Sequence, residues 1–144
     1  MKFSVSVVLI CLIAILFGFK EDQKLKYSKE VKEYEKPMII KVSLDESGEG
    51  LILDDGESKG GKITTKVYKK QIVKWELEKN SGIESLDEII EKSGNVFEIK
   101  PVKGSDGKIS GTIGDFPSGT QEEYGIRYTV NGVTKDFDPV IQIH

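Results

Sequence analysis

Reactive side chains are scarce in this sequence, and each scarcity removes a class of chemistry. There is one cysteine, Cys11, and it lies inside an apolar leader. The rest of the chain therefore has no thiol, no disulfide and no cysteine metal ligand. There is one histidine, and it is the last residue, His144. A lone terminal imidazole reads as a frayed chain end, not as a general base or one of a pair of metal ligands. Arg127 is the only arginine, the lysines are scattered among acids, and the formal net charge is −3. No basic stripe exists to track a phosphate backbone, so no nucleic-acid partner is expected. Gly111, Gly114, Gly119 and Gly125 do not follow a phosphate-loop spacing and open no helix.

A long apolar run is also missing. Met1 to Phe19 has one early charge, Lys2, and is apolar from Val5 to Phe19, short of the ~20 residues that span a bilayer comfortably. Basic start, apolar middle and polar aftermath are the plan of a secretory leader. Gly18 supplies one small residue for cleavage, while Leu16 stands where the other is wanted. Ile10 precedes Cys11 where lipidation would want a small residue. Residues 1–19 are thus read as a signal peptide or a membrane anchor, and the chain as exported, periplasmic or extracellular. Membrane contact is expected only through 1–19, if they are retained. Residues 20–37 are dense in Lys and Glu and read as a polar tether, although Tyr27, Val31 and Tyr34 have the spacing of one helix face. Pro37 closes it. The remaining 38–144 suffice for one modest core.

What the sequence does have is alternation. Tyr124, Ile126, Tyr128 and Val130 alternate with Gly125, Arg127 and Thr129. Asn131-Gly132 then turns the chain, and Val133 to Ile143 returns. Asn-Gly is the preferred filling of a two-residue hairpin turn, because both central residues need φ > 0. Such a turn sets Val130 opposite Val133, Thr129 opposite Thr134, Tyr128 opposite Lys135, Arg127 opposite Asp136 and Ile126 opposite Phe137, all favourable cross-strand pairs. Tyr124, Ile126, Val130, Val133 and Phe137 would face the core, and the Arg127–Asp136 pair solvent.

Upstream, Met38, Ile40, Val42 and Leu44 share one face of a strand, and Leu51 to Leu53 form a brief second strand. Asp45 to Gly50 is a turn, and Asp54 to Gly61 a long polar loop. Ile63 to Tyr68 and Ile72 to Leu77 are strands on either side of Lys69-Lys70-Gln71. Trp75 in the second belongs at the core centre. Asn80 to Ser93 reads as the one short helix, with Ser85 and Glu88 as a capping box, Leu86, Ile89 and Ile90 on one face, and Gly94 as its stop. Val96 to Ile99 is a strand with Phe97 and Ile99 inward. Pro101 to Gly107 is a turn region, and in Lys108 to Ile113 the residues Ile109, Gly111 and Ile113 share a face. About seven strands with regular turns predict an all-β, antiparallel sandwich.

With these strands in place, Val67 to Leu77, Phe97, the terminal hairpin and the closing Asp138-Pro139-Val140-Ile141 resemble small exported β-sandwiches of the cupredoxin or immunoglobulin type. The likeness covers Lys62 to His144 and implies a fold. The copper of cupredoxins takes two histidines, a cysteine and usually a methionine. With no cysteine after the leader and no histidine pair, this chain departs from that pattern, and no copper site is expected.

No catalytic residue, cofactor ligand or metal ligand is assigned. The function expected is an exported binding or interaction module, not an enzyme, with a protein or glycan partner. It would engage that partner through the loop end at Asp54 to Gly61 or the open edge of the terminal hairpin. The alternative is a small envelope protein that holds a metal ion such as calcium in the acidic loop 54–57, or a hydrolase built on two converging carboxylates.

Overall fold

The computed structural model describes residues 35–92, 94 and 96–144. The leader at 1–19, Cys11 and most of the 20–37 tether lie outside the described residues. Residues 36–144 form one compact unit, which is all-β with two mixed sheets. In chain order its strands are β1 (Met38–Leu44), β2 (Leu51–Asp54), β3 (Lys59–Gly60), β4 (Thr64–Val67), β5 (Ile72–Leu77), β6 (Ser85–Glu91), β7 (Phe97–Lys103), β8 (Ile109–Ile113), β9 (Gln121–Val130), β10 (Val133–Phe137) and β11 (Val140–Ile143).

The first sheet runs β3-β2-β1-β5-β8-β7. In the second, β9 pairs with β6 and also with β10 and β11, and β11 carries β4. The expected purely antiparallel order is corrected at two places, where β1 pairs with β5 and β11 with β4 in parallel. The chain between β1 and β5 passes through two strands of the first sheet and one of the second. It therefore re-enters beside β1 in the same direction, as a parallel pair requires. The count of about seven strands is corrected to eleven among the described residues.

The terminal hairpin forms as its turn dictates. Asn131 and Gly132 both have positive φ, 50° and 70°. The five pairs from Val130–Val133 to Ile126–Phe137 are all present. The same register continues past Asp138-Pro139 into Val140–Glu123 and Gln142–Gln121, with the Tyr124 N–H donating to the Pro139 carbonyl at 3.1 Å. One face of β9 is buried through Tyr124, Ile126, Tyr128 and Val130. The expectation of a core position fails at Val133, which lies exposed on β10 beside the turn.

The expected helix is a bulged strand. Leu86 pairs with Tyr128 but Glu88 with Arg127, so Asp87 is an extra residue in β6. A bulge shifts the period-two alternation by one residue. Leu86 and Ile89, three apart, are therefore both buried, a spacing that otherwise signals a helix face. Ser85 bonds Asp87 and Glu88 bonds Arg127, so neither caps a helix, and among the described residues there is no helix. Gly94 is no helix stop either. A Cβ there would collide with the carboxylate of Glu122, a buried residue whose Oε1 accepts the Lys92 N–H at 2.9 Å.

Bulges correct β7 as well. Phe97 pairs with Ile113, Ile99 with Thr112 and Val102 with Ser110, which places an extra residue in each interval. Phe97 therefore points inward and Ile99 outward. Pro101, expected in a turn, lies within the strand, on the outer edge of the sheet where its missing N–H costs no ladder bond.

The two sheets meet over one core that includes Ile40, Val42, Leu53, Val73, Trp75 and Ile109 from the first and Leu86, Tyr124, Ile126, Tyr128 and Ile141 from the second. Trp75 is fully buried and sits edge-on to Phe97 and to Tyr124. Its Nε1–H donates to the Tyr124 hydroxyl across the inter-sheet space at 3.2 Å. Burial pushes the Tyr124 phenol well above the usual tyrosine range.

Two substitutions test this packing by urea unfolding. Tyr124→Phe leaves the Trp75 N–H buried without an acceptor and is expected to cost about 1–3 kcal/mol. Thr65 is buried on β4, and its Oγ1 has no hydrogen-bond partner among the described residues. Thr65→Val, which keeps the shape and removes the hydroxyl, is expected to stabilise by about 1 kcal/mol. A loss of stability in Thr65→Val would show that the hydroxyl is satisfied.

Candidate interaction surface

The acidic loop at 54–57 folds as a tight hairpin. Asp54 pairs with Lys59 across β2 and β3, so the stretch expected to be a long loop is short and strand-flanked. Two of its three carboxylates turn onto its own amides: Asp54 Oδ1 accepts the Gly56 N–H at 3.0 Å, and Asp55 Oδ1 accepts those of Glu57 and Ser58 at 3.0 and 2.7 Å. The Gly56 amide, with help from Lys59, holds the Asp54 carboxyl below its usual range. Among the described residues no group of three or more His, Cys, Asp or Glu converges as a metal ion would need. His144 is not frayed as expected. Its N–H donates to the Val67 carbonyl at 2.7 Å and its ring stands edge-on to Tyr68, because β11 and β4 carry their pairing to the chain end.

The open edge of the terminal hairpin is partly occupied. Lys135 on β10 reaches the Gly48 carbonyl at 3.3 Å and pairs with Glu49 at 3.0 Å. On the outer face of the same sheet, Arg127 lies between two carboxylates. Its Nε and Nη2 donate to Asp136 at 2.9 and 3.3 Å, and Nη1 donates to Glu88 at 2.9 Å. These are two acids that the structure brings together, and a shared guanidinium bridges them. Beside them the bulged Asp87 accepts hydroxyl bonds from Ser85 at 2.5 Å and Thr129 at 2.7 Å. Burial alone would raise its pKa, but these bonds, with Lys103 and Arg127, outweigh that and lower it.

The surface that sequence reasoning missed is the outer face of the first sheet. The exposed large hydrophobic residues among those described are Ile39, Ile72, Ile99, Val102 and Val133, at 41, 46, 59, 65 and 56%. All but Val133 stand on this one face. Strand register sets them in two adjacent rows, Ile72–Thr112–Ile99 and Ile39–Lys74–Ser110–Val102. Edge strand β7 supplies the last member of each row. Two bulges, Pro101 and the flanking Lys100 and Lys103 make its backbone a poor template for another strand. The face, not the edge, is thus what a partner can cover. The inward and outward residues of β1 and β5 include isoleucine or valine on both sides, so alternation alone did not mark the outer set.

No protein-family model matches the chain, and comparison with curated proteins finds no match. No helix among the described residues is long and apolar enough to cross a membrane.

Two expectations follow from the polar face. Because the folded Asp87 carboxyl releases its proton more readily than the unfolded one, its contribution is complete above the ordinary value of 3.8. That contribution is lost as the pH falls through the lower folded value. Asp87→Asn should therefore flatten the fall in stability on acidification below about pH 4. An unchanged acid limb would remove Asp87 as its source. Arg127→Met should cost less than about 1 kcal/mol at neutral pH, since all three ionic groups are partly solvated.

Proposed function

We propose that this chain is an exported interaction module that captures a partner on the outer face of its six-stranded sheet. The observation that carries this reading is the gathering of Ile39, Ile72, Ile99 and Val102 in adjacent rows of one face. Aliphatic side chains scattered singly need no explanation, but four gathered in neighbouring rows of one face favour a surface that is covered in use. Export through residues 1–19 and a sandwich of cupredoxin or immunoglobulin type belong to the same proposal. In such a body, paired strands hold a rigid face outward and the chemistry is recognition, not turnover.

The test is native mass spectrometry of the protein recovered from the envelope of its producing cell, wild type beside the double variant Ile72→Asp, Ile99→Asp. Both positions are exposed, so the double variant should unfold within about 1 kcal/mol of wild type. The wild type should carry additional mass that the variant lacks, and both should lack about the first eighteen residues if the leader is cleaved. Equal partner mass on both proteins would move the interaction elsewhere. No partner mass on either would contradict the reading.

A further inference from the structure

The rows that expose aliphatic side chains also hold a cation with no counterpart. Lys74 lies between Ile39 and Ser110 in its row and two residues along β5 from Ile72. Its ammonium makes no ion pair or hydrogen bond among the described residues, whereas four other lysines around this sheet are engaged. Lys108 pairs with Glu76 at 2.6 Å, Lys59 with Asp54 at 3.4 Å, Lys70 with Glu98 and Lys100 with Glu91 at 3.3 Å. The carboxylate nearest Lys74 along its own strand, Glu76, is thus already committed to Lys108. Lys41, in the next row, has Asp54 as its cross-strand neighbour.

From this arrangement we infer that the face recognises a protein segment carrying a carboxylate flanked by aliphatic side chains, the carboxylate meeting Lys74 and the aliphatics covering Ile39, Ile72, Ile99 and Val102. This rests on the interaction-surface reading above and adds the chemistry of the partner. Three features select this occupant. Covering the aliphatic rows removes water from Lys74, and a buried ammonium is tolerated only when it is paired. A second copy of the chain stacked on the same face would bring Lys74 of both copies into one apolar interface, where like charges oppose association. A lipid surface would favour aromatic residues at the contact. Neither row holds any. Selectivity for a carboxylate follows because a neutral or basic segment would cover Lys74 without pairing it.

The test is selection of short random displayed peptides on the full-length chain, with binding of the winners measured against three variants. The enriched peptides should carry Asp or Glu between Ile, Leu or Val. Their affinity should fall more than about tenfold on Ile72→Asp and at least about fivefold on Lys74→Ala. It should also weaken with added salt. On Lys74→Glu, the same peptides with Glu replaced by Lys should recover binding, which separates recognition from loss of fold. Peptides that need Ile72 but are indifferent to Lys74 would overturn this inference and leave the interaction surface standing. Peptides indifferent to both substitutions, or no enrichment at all, would overturn both. Binding to vesicles of mixed neutral and anionic phospholipid, lost on Ile72→Asp, would overturn it in favour of a membrane. Reversible dimerisation in sedimentation, lost on the same variant, would overturn it in favour of a second copy.

Discussion

A two-residue turn constrains the second sheet. Asn131 and Gly132 adopt the left-handed backbone that a tight hairpin needs, which places Val130 opposite Val133 and leaves no freedom for the pairs that follow. The register then runs unbroken from the turn to Gln142–Gln121. A slip by one residue would turn Tyr124, Ile126 and Tyr128 out to solvent. It would also withdraw the hydroxyl that accepts the Trp75 N–H. Since Trp75 is the largest buried side chain and belongs to the other sheet, the alignment of the two sheets depends on this local turn.

Where side-chain alternation was regular, the sequence was a sufficient guide. The strand faces of Met38–Leu44, Ile72–Leu77 and Ile109–Ile113, the five hairpin pairs and the central position of Trp75 were legible, because each rests on nearest-neighbour geometry. Bulges broke that legibility. One extra residue at Asp87 converted a strand's spacing into a helix's, and serine and glutamate at capping-box spacing completed the disguise. In β7, extra residues before and after Ile99 reversed its direction and let Pro101 enter a strand. Bulges are set by the partner strand as much as by their own residues, so they leave no period to find. The parallel pairs were hidden for a related reason: β1 with β5 and β11 with β4 join segments far apart in the chain.

The candidate surface was less legible than the fold. Loop length directed attention to the acidic stretch at Asp54–Gly61, yet the carboxylates of Asp54 and Asp55 accept its own amides. The outer face of the first sheet was invisible because its aliphatic members come from three strands, two with apolar residues on both faces and one with bulges that hide the alternation. Only the register brings Ile39, Ile72, Ile99 and Val102 together around Lys74. The opposite outer face differs in kind: there Arg127 bridges the carboxylates of Glu88 and Asp136.

Hydroxyl-radical footprinting in intact producing cells, compared with the purified full chain, asks most directly whether the outer face of the first sheet is covered where the protein works. Val133, exposed on the other sheet, serves as the internal reference. An occupied face gives Ile39, Ile72, Ile99 and Val102 lower labelling in cells than in the purified protein, relative to Val133. Labelling that keeps the same ratio in both settings would mean that the face is bare in the cell, and that the exposed aliphatic rows serve no partner.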